Sequence, residues 1–185
     1  MLKKIPFAIL FVLIVCTISF PQQSENNHPT AQAECKFSDE EIITMHYSSP
    51  RVGNRKIFGG LVPYGEVWRT GPNQAINLVT SEDLITVKGT SIPAGGYTIL
   101  MVPYPAEWTL IINRDTVYDS GELARVPMSV TKLSSPVENF TISFDHTGAS
   151  CTMRISWENT QASLEFAERN TDLPLRRDPT AHRRP

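Results

Sequence analysis

One stretch, residues 46–74, concentrates the side chains that could bind or transform a ligand. Arg51 and Arg69 each offer a rigid fork of five N–H donors that suits a carboxylate or a phosphate. Tyr64 and Trp68 offer flat faces on which a sugar ring or a peptide side chain could stack. A long ordered loop with such residues is more often functional than a short turn. The stretch therefore predicts a binding surface.

Three further polar residues of the same stretch could take part in that surface. Asn73 can orient a ligand through either atom of its amide. Glu66 and His46 could act as acid or base in a hydrolase or lyase, or Glu66 could instead pair with Arg69. In a purely structural alternative, the aromatic rings cap one end of the domain and the arginines bond to loop carbonyls. The sequence leaves these alternatives open.

The motifs of several common enzyme classes are absent. The chain has no Gly-x-Ser-x-Gly elbow, no Walker loop and no Gly-x-Gly-x-x-Gly turn, which argues against the serine chemistry and the nucleotide cofactors that these motifs support. Its four histidines lack metal-ligand spacing, although His46 and His146 could meet across strands beside Asp145. We therefore predict no cofactor and no metal, and a binding module rather than an enzyme.

Two cysteines, Cys35 and Cys151, follow the N-terminal segment. In an oxidising compartment they could form one disulfide, or they could remain separate thiols. A third cysteine, Cys16, lies within the apolar N-terminal run. It is either an ordinary residue of that run or the attachment site of a lipid anchor.

Residues 1–20 have the composition of a secretory signal peptide. Lys3 and Lys4 precede an uncharged run that is long enough for a signal peptide and marginal for a transmembrane span. No later segment is apolar over such a length, so we expect no transmembrane span in the mature chain. The expected location is exported: periplasmic, associated with the outer membrane, or secreted.

The rest of the chain divides by composition into three parts. Residues 21–39 are polar and predict a flexible leader, and residues 40–168 have the apolar pattern of a folded domain. Residues 169–185 hold five arginines, two aspartates and three prolines, which predicts a disordered basic tail. Over the whole chain, 17 Lys and Arg nearly balance 19 Asp and Glu, so no nucleic-acid partner is expected.

Apolar and polar residues alternate with a period of two through much of residues 40–168, as in the run Cys151, Met153, Ile155 and Trp157. This alternation predicts antiparallel strands with one buried face. About nine short runs with frequent turns predict a single-domain, all-β antiparallel β-sandwich with jelly-roll or Greek-key connections. Two runs, 97–102 and 108–112, are apolar on both faces over part of their length and predict interior strands.

A resemblance to a known family follows from chained motifs in residues 46–74. They are Ser49-Pro50-Arg51, Arg55-Lys56-Ile57-Phe58-Gly59, Leu61-Val62-Pro63-Tyr64-Gly65 and Val67-Trp68-Arg69-Thr70-Gly71. Together with Ile92-Pro93-Ala94-Gly95-Gly96-Tyr97, they make most of residues 42–157 similar to the bacterial exported family called domain of unknown function 2911. The resemblance implies a secreted or envelope β-domain and carries no established activity.

The sequence thus predicts an exported bacterial envelope β-sandwich that uses residues 46–74 to bind a partner. The expected partner is a small anionic or carbohydrate ligand, or an envelope protein. Two alternatives are a periplasmic hydrolase or lyase that acts on glycans or peptides, and a structural or assembly module.

Overall fold

The structure is built from β-strands. The computed structural model describes residues 29–69, 75–114 and 121–169, and within these ranges it has nine strands and no helix. No helix long and apolar enough to cross a membrane occurs among these residues. All strand pairs are antiparallel, which confirms the predicted all-β fold. The strands are β1 (Thr30–Lys36), β2 (Ile42–Ser48), β3 (Ile76–Thr80), β4 (Leu84–Thr86), β5 (Ser91–Ile92), β6 (Gly95–Val102), β7 (Glu107–Asn113), β8 (Glu122–Thr147) and β9 (Ser150–Glu168).

The strands form one sheet that folds over itself. Their order is β1-β2-β3-β6-β7-β8-β9-β4-β5. Neighbouring strands lie about 4.8 Å apart, so a flat sheet would place β9 about 29 Å from β1. Instead, the Cα atoms of Cys35 on β1 and Cys151 on β9 are 6.2 Å apart, and a disulfide joins their side chains. The sheet therefore forms two facing layers, and the disulfide links them. The first layer contains β1, β2, β3, β6, β7 and the start of β8, and the second layer contains the rest of β8 with β9, β4 and β5.

The bend between the layers lies in the longest strand. β8 pairs with β7 through its first residues and with β9 over most of its remaining length. Its register with β9 shifts between Lys132 and Val137 and again between Val137 and Thr141. Extra residues in one strand bend it and increase its twist. Within the second shift, Phe140 packs edge-on against Tyr47 of β2, with ring centroids 5.8 Å apart.

The alternating residues form the core as predicted. Cys151, Met153, Ile155 and Trp157 of β9 are all buried. The central strands β6 and β7 are also buried on their second face, where a small separate cluster contains Leu100, Val102 and Ile111. β6 pairs with β3 and β7, and β7 pairs with β6 and β8. Both are therefore interior strands of the sheet, as their apolar residues on both faces predicted.

The N-terminal boundary of the domain differs from the prediction. The expected leader, residues 21–39, contains β1, which pairs with β2 along its whole length. A polar strand is tolerated there because β1 is an edge strand that buries only one face, and the disulfide holds that face against β9. At the other end, the backbone N–H of Arg169 donates to the Asp83 carbonyl at 3.0 Å. Residues 1–28, which include Cys16, and 170–185 lie outside the described residues.

Candidate functional site

Residues 46–74, called the motif segment below, are attached through their first part to the middle of β8. Arg51 forms an isolated bridge with Asn139. The backbone N–H of Phe140 donates to the Pro50 carbonyl, and that of Val52 donates to the Glu138 carbonyl, both at 2.8 Å. These bonds hold the segment as a short extension of the second layer.

The middle of the motif segment folds into a compact turn over residues 57–68, which we call the motif turn. Ile57, Phe58 and Val62 are buried. The backbone N–H of Val62 donates to the Ile57 carbonyl, and that of Gly59 donates to the Val62 carbonyl, each at 2.9 Å. The three apolar side chains anchor the turn in the core, so its intervening residues are held at the surface.

Trp68 ends this turn and belongs to the aromatic core. Its backbone pairs with Met101 through two hydrogen bonds, of 2.7 and 3.1 Å. Its ring stacks on Trp157 with centroids 5.9 Å apart and an interplanar angle of 12°, and it meets Phe58 and Phe140 edge-on. The indole therefore packs against other rings of the protein and keeps part of its surface exposed.

The predicted cations have different environments. Arg51 is exposed, and its Nε lies 3.3 Å from Glu138 Oε1, an exposed ion pair worth at most about 1 kcal/mol. Arg55 donates to two loop carbonyls, those of Val52 and Arg51, as in the structural alternative. Arg69 is exposed and already has an interaction partner.

Of the remaining predicted site residues, the structure describes Glu66 and His46. Glu66 is exposed. His46 lies exposed on β2, opposite Gln32 and Asn77 of the neighbouring strands. Asn73 lies in residues 70–74, outside the described part of the chain.

Two tyrosine rings are exposed at the surface of the segment. Tyr64 is 42% exposed and Tyr104, in the β6–β7 turn, is 49% exposed. A Cβ on Gly59 would lie 2.8 Å from Tyr64 Cε2, and a Cβ on Gly65 would lie 3.3 Å from the Tyr104 hydroxyl oxygen. Both glycines have positive φ, 72° and 78°, a conformation that favours glycine. The Gly65 N–H also donates to the Pro103 carbonyl at 2.9 Å, which joins the backbones directly next to the two tyrosines.

A lysine lies beside the first ring. Lys56 Nζ is 3.7 Å from the position that a Cβ on Gly59 would take, the position that the Tyr64 ring also approaches. A lysine ammonium binds anionic groups as a compact point charge. We call Lys56, Tyr64 and Tyr104 the tyrosine surface. Sequence reasoning missed Tyr104, although an aromatic residue in a short hairpin turn is a signal that could have found it.

A separate group of carboxylates lies where the β1–β2 turn and the β3–β4 turn meet the end of β9. Oxygens of Asp39, Glu82 and Glu168 are all within 4.8 Å of one another, and the Ser38 N–H donates to Glu168 Oε1 at 3.2 Å. One atom from each residue supplies fewer ligands than the roughly six to eight oxygens that Ca²⁺ prefers. Among the described residues, His46 and His146 belong to no group of three or more residues able to hold a metal.

These carboxylates change the protonation of Glu82. Burial, followed by the negative charge of Asp39 and then of Glu168, raises the pKa of Glu82 from 4.5 to about 7. Glu82 Oε1 is buried without a hydrogen-bond partner, which is consistent with the cost of ionising this group.

Glu82 should make folding stability depend on pH. Between about pH 4.5 and 7 the folded state binds more protons than the unfolded state, so stability falls as pH rises through this range. Glu82→Gln removes the ionisation cost, and we expect a variant about 1–2 kcal/mol more stable at pH 8, allowing for solvent screening. Urea unfolding at pH 5 and pH 8 measures the effect. A stabilisation that is the same at both pH values would contradict this account.

Comparison with known proteins identifies the family. The family model described as "Protein of unknown function (DUF2911)" matches residues 28–166. The chain belongs to the DUF2911 family. The match begins two residues before β1 and ends within β9, so the whole folded domain, including the edge strand, is the family unit. No curated protein and no solved structure matches the chain.

Proposed function

We propose that this DUF2911 protein is an exported, non-catalytic module that binds carbohydrate at its tyrosine surface. Export is supported by the composition of residues 1–20 and by a disulfide between β1 and β9, since disulfides persist in oxidising compartments. A periplasmic, outer-membrane-associated or secreted location agrees with both features.

The observation that carries the proposal is the exposure of Tyr64 and Tyr104 on rigid supports. Exposed apolar surface that is contiguous marks ligand-binding sites, whereas single exposed apolar residues do not. Here each ring rests against a glycine backbone that a Cβ would crowd, so little conformational entropy is lost when a ligand stacks on it.

The charge beside the rings favours an acidic polysaccharide as the ligand. A sugar ring has an apolar face that can cover a tyrosine ring, and the Lys56 ammonium can pair with a uronate carboxylate. Glu66 is a nearby exposed acid in the sequence, but a binding role for the surface does not require it.

Calorimetric titration with polygalacturonate oligomers tests the proposal. We expect Tyr64→Ala and Tyr104→Ala each to weaken binding about tenfold, as loss of a stacking face implies. Lys56→Gln should weaken binding to polygalacturonate oligomers but leave binding to neutral cello-oligosaccharides unchanged.

Val87→Ala is the matched control, because Val87 is an exposed apolar side chain in another part of the chain, and it should bind as the wild type does. Binding that is absent, or equal in the tyrosine variants and the wild type, would refute the tyrosine surface. If the wild-type protein released new reducing ends from polygalacturonate and Glu66→Gln abolished this release, the function would be hydrolysis rather than binding.

A further inference from the structure

The outer face of the first layer carries a row of polar side chains in strict register. Each residue of the row lies directly opposite the next on the neighbouring strand, and a bulge interrupts only the last step. The row crosses six strands. Its members are Gln32, His46, Asn77, Thr98, Asn113 and Glu122.

A shallow groove lies along this row. Its volume is about 250 Å³, and it is lined by Asn77, Val79, Gly96, Thr98 and Arg114 among others. Gly96 pairs with Val79, and a Cβ added to Gly96 would meet nothing within 4 Å. The missing side chain therefore leaves room in the groove between β3 and β6.

A buried amide lies next to the groove without its full set of partners. Asn113 is directly opposite Thr98 and is only 2% exposed, and its Oδ1 has no hydrogen-bond donor. Leaving such a buried acceptor unpaired is unfavourable. Rotating the Asn113 amide about its terminal torsion costs little. Because Oδ1 has no partner, a rotation that turns Oδ1 toward Thr98 breaks no hydrogen bond to Oδ1.

We propose that this groove is a second binding site, which accepts one hydroxylated ring of a saccharide. The groove is smaller than the roughly 300–1,000 Å³ of drug-sized pockets, which suits a single ring. Its lining combines donors on Arg114 with groups on Asn77 and Thr98 that can both donate and accept, and the unpaired acceptor of Asn113 lies beside it, opposite Thr98. A sugar hydroxyl both donates and accepts and so matches this mixture. An apolar ligand would leave the amides unpaired.

The site is independent of the tyrosine surface. It lies on the sheet face formed by β3, β6 and β7, whereas Tyr64 and Tyr104 belong to the motif turn and the β6–β7 turn. Its occupant interacts through hydroxyl groups rather than through stacking, so neutral monosaccharides are the appropriate probes.

Amide NMR titration of the mature protein with methyl glucoside, galactose and N-acetylglucosamine tests this site. We expect at least one of these sugars, at millimolar concentration, to shift the resonances of Asn77, Thr98 and the Asn113 side chain. Gly96→Val should weaken that binding about tenfold or more, because the side chain fills the groove. The variant should fold, since open space surrounds the position and valine is favoured in strands.

Thr98→Val is the second variant, which keeps the shape and removes the hydroxyl, and we expect a loss of about tenfold from it as well. Tyr64→Ala is the control, and it should bind monosaccharides at this groove as the wild type does. Absence of shifts with all three sugars would overturn the site. Shifts that survive Gly96→Val, or that vanish in Tyr64→Ala, would also overturn it.

Discussion

Removing the disulfide should lower the free energy of unfolding by about 4–5 kcal/mol, as expected for a cross-link that closes a loop of this length. Cys35 and Cys151 are 116 residues apart in sequence. The cross-link restricts the unfolded chain strongly, because it joins the first strand of the domain to the last. In the folded state it also holds the polar edge strand β1, which among the described strands pairs with β2 alone. Without it, β1 depends on β2 pairing and on a few side chains.

Urea unfolding of Cys35→Ala/Cys151→Ala measures this effect. The same loss is expected when the wild-type protein is unfolded in the presence of dithiothreitol. Dithiothreitol should have no effect on the double variant, which controls for the reductant itself. A loss below about 1 kcal/mol in both experiments would show that the link contributes little, contrary to the chain-entropy argument.

Trp68→Ala should destabilise the fold by about 2–4 kcal/mol, somewhat less than the roughly 3–5 kcal/mol usual for a fully buried large aromatic side chain, because Trp68 is partly buried against the core. The Trp68 ring lies 5.6–6.5 Å from four other aromatic rings, measured between centroids. Those rings are Phe58, Trp108, Phe140 and Trp157. Truncation would leave a cavity where the motif turn, the central strands and the β8–β9 hairpin meet.

Tyr64→Ala is the matched comparison, because it removes an aromatic ring from the same segment. Tyr64 is 42% exposed, so its loss should cost less than about 1 kcal/mol. Thermal unfolding of both variants separates the two roles. If Trp68→Ala unfolded like the wild type and lost only ligand binding, Trp68 would be a ligand platform, as the sequence suggested.

The sequence contained enough local information for the strands and the core. A period of two is a property of neighbouring residues, so the buried run from Cys151 to Trp157 could be identified without knowing its partners. The same holds for the interior strands β6 and β7, which are apolar on both faces. The motif segment could also be recognised, since its residues are contiguous.

Tertiary structure decided which aromatic residues are buried. Tyr64 and Trp68 are both aromatic residues in one loop, so composition alone does not show which of the two rings is buried. The hydrogen bonds between Trp68 and Met101 place the indole in the core, whereas a glycine turn leaves Tyr64 outside. Tyr104 reaches the same surface from a different hairpin, so only the folded chain brings the two tyrosines together.

The chain by itself determined that this protein folds as a β-domain, and it indicated the motif segment as its best candidate for binding. Only the tertiary structure brought β1 into the domain, gathered Asp39, Glu82 and Glu168 from two turns and the end of β9, and aligned a polar row across six strands. The physical reason is register. Alternation specifies which face of a strand is apolar, but the residues that meet across strands depend on pairings between distant segments.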